Sequence, residues 1–292
     1  MDNVKILITG GNGFIGRPIL DLLKSKDIEV CVIGRHRPEN FEGFFLEVDI
    51  LKISQIEIFK ILNKIKPTHL IHLAWYTEYG KFWNAEENIS WIYKTISLIK
   101  IFCEVGGKCV IATGSCAEYS WDTSEKLREN SKCEPKTLYG VTKNVTRQLA
   151  SQICSQAGVS LAWCRIFFPY GPGDNDKKFI PLLKNIVNNS KDQFKINQPG
   201  LRDFLHINDI AEAIFTILDK NSDGIINICS GIPYDLNNLM FKVLKYKKLN
   251  LKNNNLSLSY NKKNMINIVG NNQILTELGW KAKTDLYSYI LE

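Results

Sequence analysis

The sequence predicts an α/β fold: a doubly wound parallel sheet with a smaller C-terminal substrate-binding lobe. Three observations carry this. Short apolar, β-branched runs alternate with segments of helical spacing from Val4 to about Phe167, the pattern of successive βαβ units. The runs are almost continuously apolar, as strands buried on both faces are. The first of them, Val4-Lys5-Ile6-Leu7-Ile8, leads directly into Thr9-Gly10-Gly11-Asn12-Gly13-Phe14-Ile15-Gly16. A strand, a glycine turn and a helix in that order open a Rossmann sheet.

The elements follow in order. Phe14 to Lys24 carries Phe14, Ile15, Ile19, Leu22 and Leu23 at helical spacing, with Pro18 in the first turn, where its missing N–H costs nothing. Strands are predicted at Glu29 to Ile33, Phe44 to Val48, His69 to Leu73, Cys109 to Ala112 and Leu161 to Arg165. Helices are predicted near Glu86 to Glu104 and Leu138 to Ala157, both apolar on more than one face. The resulting division places a dinucleotide-binding domain at 1–167, with 207–230 returning to it. The substrate lobe takes 168–206 and 231–292. The Asn/Lys-rich stretches at Lys252 to Asn255 and Asn261 to Asn264 read as solvated loops.

The glycine turn is the first candidate site. Glycine lets backbone approach a pyrophosphate, and a helix N-terminus supplies N–H donors and positive potential. Gly10, Gly13, Phe14, Ile15 and Gly16 are the candidate contacts. After the second strand, an acidic residue would bind a ribose 2′-hydroxyl. Here Gly34-Arg35-His36-Arg37 stands instead, and a guanidinium suits a 2′-phosphate. Arg35 therefore favours NADP, with NAD as the alternative. Asp49 and Ile50, after the third strand, are candidates for the adenosine.

The second site is Tyr139-Gly140-Val141-Thr142-Lys143. A spacing of four places Tyr139 and Lys143 on one helix face. A lysine ammonium there is expected to draw the phenol pKa down toward neutral, giving a general acid or base for a carbonyl/alcohol pair. Ser115 closes a strand-like run upstream.

With these features the chain resembles the extended short-chain dehydrogenase/reductases, the NAD-dependent epimerase/dehydratase family. The motifs are Thr9 to Gly16, His72-Leu73-Ala74, Ser115 before Ala117-Glu118-Tyr119, Tyr139 with Lys143, Tyr170-Gly171-Pro172, and Arg202-Asp203-Phe204-Leu205-His206. The resemblance implies that Ser115 bonds the reacting oxygen, Tyr139 transfers the proton, and Lys143 holds the nicotinamide ribose. It also implies that Leu73 and Ala74 flank the cofactor and that Arg202 binds the pyrophosphate of a nucleotide-diphosphate sugar. Tyr76, Cys116 and Phe179 join Arg202 as substrate candidates. Helix pairing across a homodimer is implied as well.

Departures from the pattern narrow the choice. Members that remove water carry Asp-Glu after the catalytic Ser/Thr, where this chain has Cys116-Ala117. Members that epimerise at C3 and C5 use a cysteine where Ala117 stands and a histidine where Lys178 or Phe179 stands. Phe168 replaces an asparagine that often contacts substrate phosphate, and Asn88 lies near the family's helix asparagine. The run from Tyr170 to Pro181 and the Leu278-Gly279-Trp280 ending resemble bacterial 4-ketoreductases of the CDP-abequose synthase type.

Composition bounds the rest. A chain of 292 residues with 45% hydrophobic content supports one large or two joined domains. The nucleotide loop occupies the N-terminal residues, so no signal peptide is expected, and no apolar run is long enough to span a bilayer. Eight scattered cysteines without a Cys-x-x-Cys pattern indicate no metal site and a reduced, cytoplasmic protein. The net charge of +7 comes from dispersed residues and matches no nucleic-acid module. The leading function is NADPH-dependent reduction of a nucleotide-diphosphate 4-keto-6-deoxy sugar, for surface polysaccharide synthesis by the family resemblance. A nucleotide-sugar 4-epimerase with bound NAD uses the same residues, and a non-catalytic dinucleotide-binding regulator is the third reading.

Overall fold

The computed structural model describes residues 4–189, 200–246 and 266–292. Both Asn/Lys-rich stretches noted above lie outside the described residues. The chain begins β1 (Lys5–Thr9), α1 (Gly16–Ser25), β2 (Glu29–Gly34), β3 (Phe44–Glu47), α2 (Gln55–Ile65) and β4 (His69–His72). It continues α3 (Glu87–Glu104), β5 (Cys109–Ser115), α4 (Leu138–Ala157) and β6 (Ser160–Ile166). There follow β7 (Phe168–Tyr170), α5 (Phe179–Asn189), β8 (Leu201–Arg202), β9 (Phe204–His206), α6 (Ile207–Asp219) and β10 (Gly224–Ile228). The chain closes through β11 (Tyr234–Asp235), α7 (Leu236–Tyr246), α8 (Gln273–Glu277) and α9 (Leu286–Leu291).

The main sheet has seven strands in the order β10-β6-β5-β4-β1-β2-β3. Every neighbouring pair in it is parallel. The order reverses between β1 and β4, and in such sheets ligands bind at the carboxyl ends of the strands beside the switch point. The β4–β1 register pairs Thr9 with His72, so the glycine turn and the segment after β4 leave the sheet side by side.

Each face of the sheet is covered. Ile19 and Leu23 of α1 and Ile210 and Ile214 of α6 pack on one side. Leu62 of α2, Leu98 and Phe102 of α3 and Ala150 of α4 pack on the other. Burial of each such large aliphatic side chain contributes about 1.5–3 kcal/mol. Local signals set the helix starts. Ser54 and Glu57 form a reciprocal capping box at α2, with bonds of 3.2 and 3.1 Å. Thr137 Oγ1 accepts from Gly140 N at 3.1 Å to start α4, which places Tyr139 in its first turn.

A separate apolar cluster joins Leu183 and Val187 of α5, Leu239 and Val243 of α7, and Leu286 and Ile290 of α9 around Tyr170 and Phe204. The stretch 273–280, placed with the lobe by the sequence reading, inserts Leu275 and Trp280 into the main core instead. Trp280 Nε1 donates to the Asp209 carbonyl at 3.1 Å, so the indole gains both apolar contact and a polar partner on α6. No helix among the described residues is long and apolar enough to cross a membrane.

Candidate active site

The glycine turn has the shape a dinucleotide needs. Gly10 has φ +75°, and a Cβ there would sit 2.7 Å from Ala74 N and 2.9 Å from the Leu73 carbonyl carbon. Leu73 and Ala74 are therefore held against the turn, as Leu73 N donating to Thr9 O at 3.0 Å also shows. A Cβ on Gly16 would collide with Gly10 O, which is the close helix–strand approach of such turns. Gly13 is exposed, and a Cβ there would meet only Gly10 O, at 3.1 Å. Its outer side is open to a ligand's close approach. These residues fit a dinucleotide pyrophosphate.

Ser115, Tyr139 and Lys143 come together at the carboxyl end of β5. The Tyr139 phenol and the Ser115 hydroxyl share a hydrogen bond. Lys143 is 3% exposed, donates from Nζ to Thr113 O at 2.8 Å, and stands 5.9 Å from the Tyr139 ring centre. The expected direction of the Tyr139 shift is corrected by this geometry. Burial raises the phenol above its ordinary pKa, and the Ser115 bond offsets only part of the rise. The lysine is affected too: burial pushes its ammonium down to about 7, against the pull of Glu118. A lysine depressed this far is only partly charged at neutral pH and does not outweigh the burial of the phenol. Tyr139 accordingly holds its proton at neutral pH.

Around this group lies an aromatic enclosure. Phe82 and Trp83 meet the Tyr139 ring edge to face at 4.9 and 5.9 Å, and Trp121 meets Trp83 at 6.3 Å. Trp75 lies under Lys143, with Nζ 3.8 Å from a ring centre. Asn88 is fully buried and accepts from Trp75 Nε1 at 2.8 Å while donating to Phe82 O and Ala85 O. It anchors the aromatic loop through these bonds.

A charged network lies beneath Ser115. Glu118 is fully buried and accepts from Ser115 N at 2.8 Å, from Trp163 Nε1 at 3.0 Å and from Arg165 Nε at 2.8 Å. The carboxylate is thus turned into the protein and bonded there. The sequence reading missed this pair. Its signal is Arg165 within the apolar strand Trp163-Cys164-Arg165-Ile166, since a charge in a buried strand requires a partner.

The remaining candidates are distributed around the site. Cys116 is buried beside Ser115 and Arg202, and burial pushes its thiol up to about 12. Arg202 is 6% exposed, donates to the carbonyls of Leu201 and Ile266, and lies 5.6 Å over the Phe168 ring. Phe168 therefore supports the guanidinium by stacking. Phe179 stacks on Phe204 at 6.0 Å. Lys178 pairs with Asp174 at 2.7 Å and lies 5.2 Å from the Phe14 ring, close to the glycine turn. Tyr76 donates to Glu78 at 2.8 Å. At the end of β2, Arg37 is tied to Phe41 O and Gly43 O, whereas Arg35 is exposed. Asp49 accepts from Leu51 N at 3.0 Å and Ile50 is buried below it.

The profile of the NAD dependent epimerase/dehydratase family matches residues 6–229. Among curated relatives, dTDP-6-deoxy-L-talose 4-dehydrogenase (NAD(+)) of Aggregatibacter actinomycetemcomitans is 26% identical over 258 residues, 85% of this chain and 93% of the relative. CDP-abequose synthase of Salmonella typhimurium is 23% identical over 300 residues, 96% of this chain and 94% of the relative. Among solved structures, MoeE5 in complex with UDP-glucuronic acid and NAD has a TM-score of 0.83 at 21% identity, over 98% of this chain and 96% of that one. At that identity the likeness is one of fold.

Proposed function

Because the chain belongs to the NAD dependent epimerase/dehydratase family, we propose that it reduces a nucleotide-diphosphate 4-keto-6-deoxy sugar with NADPH. The observation that carries this reading is the state of the groups around Ser115. Tyr139 keeps its proton and is bonded to Ser115, ready to act as an acid. The two side chains near Ser115 that would otherwise remove a ring proton are withdrawn: Glu118 is bonded into the core and Cys116 is held as a thiol. That set suits one hydride transfer at one carbon.

A reduced nicotinamide, when bound, supplies the hydride. Gly10, Gly13, Phe14, Ile15 and Gly16 would hold the cofactor pyrophosphate, with Leu73 and Ala74 alongside. Arg35 would pair with a 2′-phosphate, and Asp49 and Ile50 would border the adenosine. Tyr139 protonates the alkoxide that forms at the sugar, while Ser115 donates a hydrogen bond to the same oxygen and Lys143 places positive charge nearby. Phe82 and Trp83 exclude water from the phenol. Tyr76, Cys116, Phe179 and Arg202 would face the sugar nucleotide, with the lobe cluster of α5, α7 and α9 covering it. Exposed apolar residues on α3 and α4, namely Ile89, Tyr93, Val141, Val145 and Leu149, support a homodimer built on these two helices. A cytoplasmic location accords with eight free thiols.

Reaction in D₂O tests the scope. With a 4-keto-6-deoxy sugar nucleotide, deuterium at C3 and C5 is expected to stay at the level found without enzyme, read by NMR of the product. Rapid, stereospecific uptake at either carbon would show a base acting on the ring and would identify an epimerase-reductase.

A further inference from the structure

We propose that Glu118 and Arg165 are a positioning pair: the Glu118 carboxylate, ion-paired to Arg165, fixes Ser115 through its backbone N–H and supplies the negative charge nearest the catalytic group. The inference rests on the catalytic reading of Ser115, Tyr139 and Lys143 given above.

The geometry points there from several sides. Glu118 is 0% exposed, and its oxygens take bonds from Ser115 N, Trp163 Nε1 and Arg165 Nε. Arg165 is also 0% exposed and is held from behind, donating to Glu129 O at 3.1 Å and to Cys133 Sγ at 3.1 Å, with its guanidinium 4.3 Å over Tyr119. Tyr119 is in turn fixed by its hydroxyl donating to Asn227 at 2.7 Å. The backbone makes room for the carboxylate: a Cβ on Gly114 would collide with both Glu118 Oε1 and Trp163 Nε1. The strand carrying Ser115 is thereby tied, through Glu118, to Trp163 and Arg165 of β6 at the backbone N–H of the residue that bears the catalytic hydroxyl.

Stability alone does not account for such a pair. A buried ion pair is a weak source of stability, and well-packed apolar residues in its place are often equal or better. An apolar pair, however, leaves Ser115 N without its acceptor and Lys143 without its anion. Glu118 opposes the burial that depresses the Lys143 ammonium, and its field also raises Tyr139. The other titratable groups here are Cys116 beside Tyr139 and His72 beneath Lys143; burial pushes the latter down to about 3, so it is neutral. Removing the Glu118 charge therefore lowers both Lys143 and Tyr139, and the ammonium and the phenolic proton are lost at lower pH.

Two variants test this, Glu118→Gln and the apolar double replacement Glu118→Leu with Arg165→Met. The double variant is expected to fold with a melting temperature at or above that of the unmodified protein and to bind NADPH equally. Its kcat should fall roughly 10–100-fold with KM little changed, the scale of a displaced catalytic group. In both variants the alkaline limb of the kcat profile, and the midpoint of an isotope-detected titration of Lys143 Nζ, should move to lower pH. A double variant that regains both stability and the original kcat and pH profile overturns the proposal, as does failure of both variants to fold, since stability would then be the role. The Lys143 titration needs no substrate. An unmodified protein inactive on 4-keto sugars would therefore count against the proposed function and leave this measurement to judge the pair.

Discussion

Tyr139→Phe is expected to lower turnover by on the order of 10²–10⁴, the usual contribution of a general acid. The substitution removes one oxygen and keeps the ring. The contacts with Phe82 at 4.9 Å and Trp83 at 5.9 Å persist, so the enclosure and the first turn of α4 remain formed. Fluorescence titration should give unchanged cofactor affinity, and steady-state kinetics should place the loss in kcat. Ser115 keeps its anchoring to Ala117 N and Glu118, so the hydroxyl stays in position while the proton donor is gone. A near-normal rate would assign the proton to another group. Cys116 is the neighbour in reach of Ser115, and its thiol, pushed up to about 12 by burial, is poorly matched to that task.

Lys143→Met is expected to abolish most activity and yet stabilise the fold. The ammonium is 3% exposed and burial pushes it from its ordinary 10.5 to about 7. The sign follows from linkage. Below about 7 the lysine is protonated in the folded and unfolded chain alike, and the folded state bears the full desolvation cost. Between 7 and 10.5 only the unfolded chain holds the proton, so that cost falls as pH rises and vanishes above 10.5. Methionine, of similar length and without charge, removes it. Chemical denaturation near pH 6 should show the variant more stable by about 2–4 kcal/mol, with the difference shrinking toward pH 10. Equal or lower stability of the variant at pH 6 would show that the buried lysine is compensated by partners beyond Thr113 and Trp75.

The sheet was legible because strands buried on both faces are written as apolar runs, and β1, β2, β4, β5 and β6 all fall where such runs stand. Gly10 and Gly16 were legible because only glycine tolerates the approach of Ala74 and of the turn's own backbone. Tyr139 and Lys143 were visible as a helical pair, but the direction of the phenol's shift was not. Spacing reveals a neighbouring charge, whereas desolvation depends on what the fold later places around it. The Glu118 network was hidden for a related reason. Trp163 and Arg165 lie 45 and 47 residues further along the chain, and only the β5–β6 register brings them beneath Ser115. Likewise, nothing local to Trp75 announces that its indole will lie under Lys143. The packing of Leu275 and Trp280 into the main core depends on where the chain returns after the lobe.

Net reduction of a 4-keto sugar nucleotide by exchangeable NADPH is the proposed reaction. The direct measurement follows absorbance of the reduced nicotinamide during incubation with a 4-keto-6-deoxy sugar nucleotide, with NADPH and NADH in parallel and the product identified by NMR. The expected result is one equivalent of NADPH consumed per deoxy sugar nucleotide formed, with NADPH bound at least about tenfold more tightly than NADH, or about 1.4 kcal/mol, a preference that Arg35→Ala erases. Interconversion of C4 stereoisomers with no net consumption of either cofactor would rule out net reduction and identify a 4-epimerase with retained NAD.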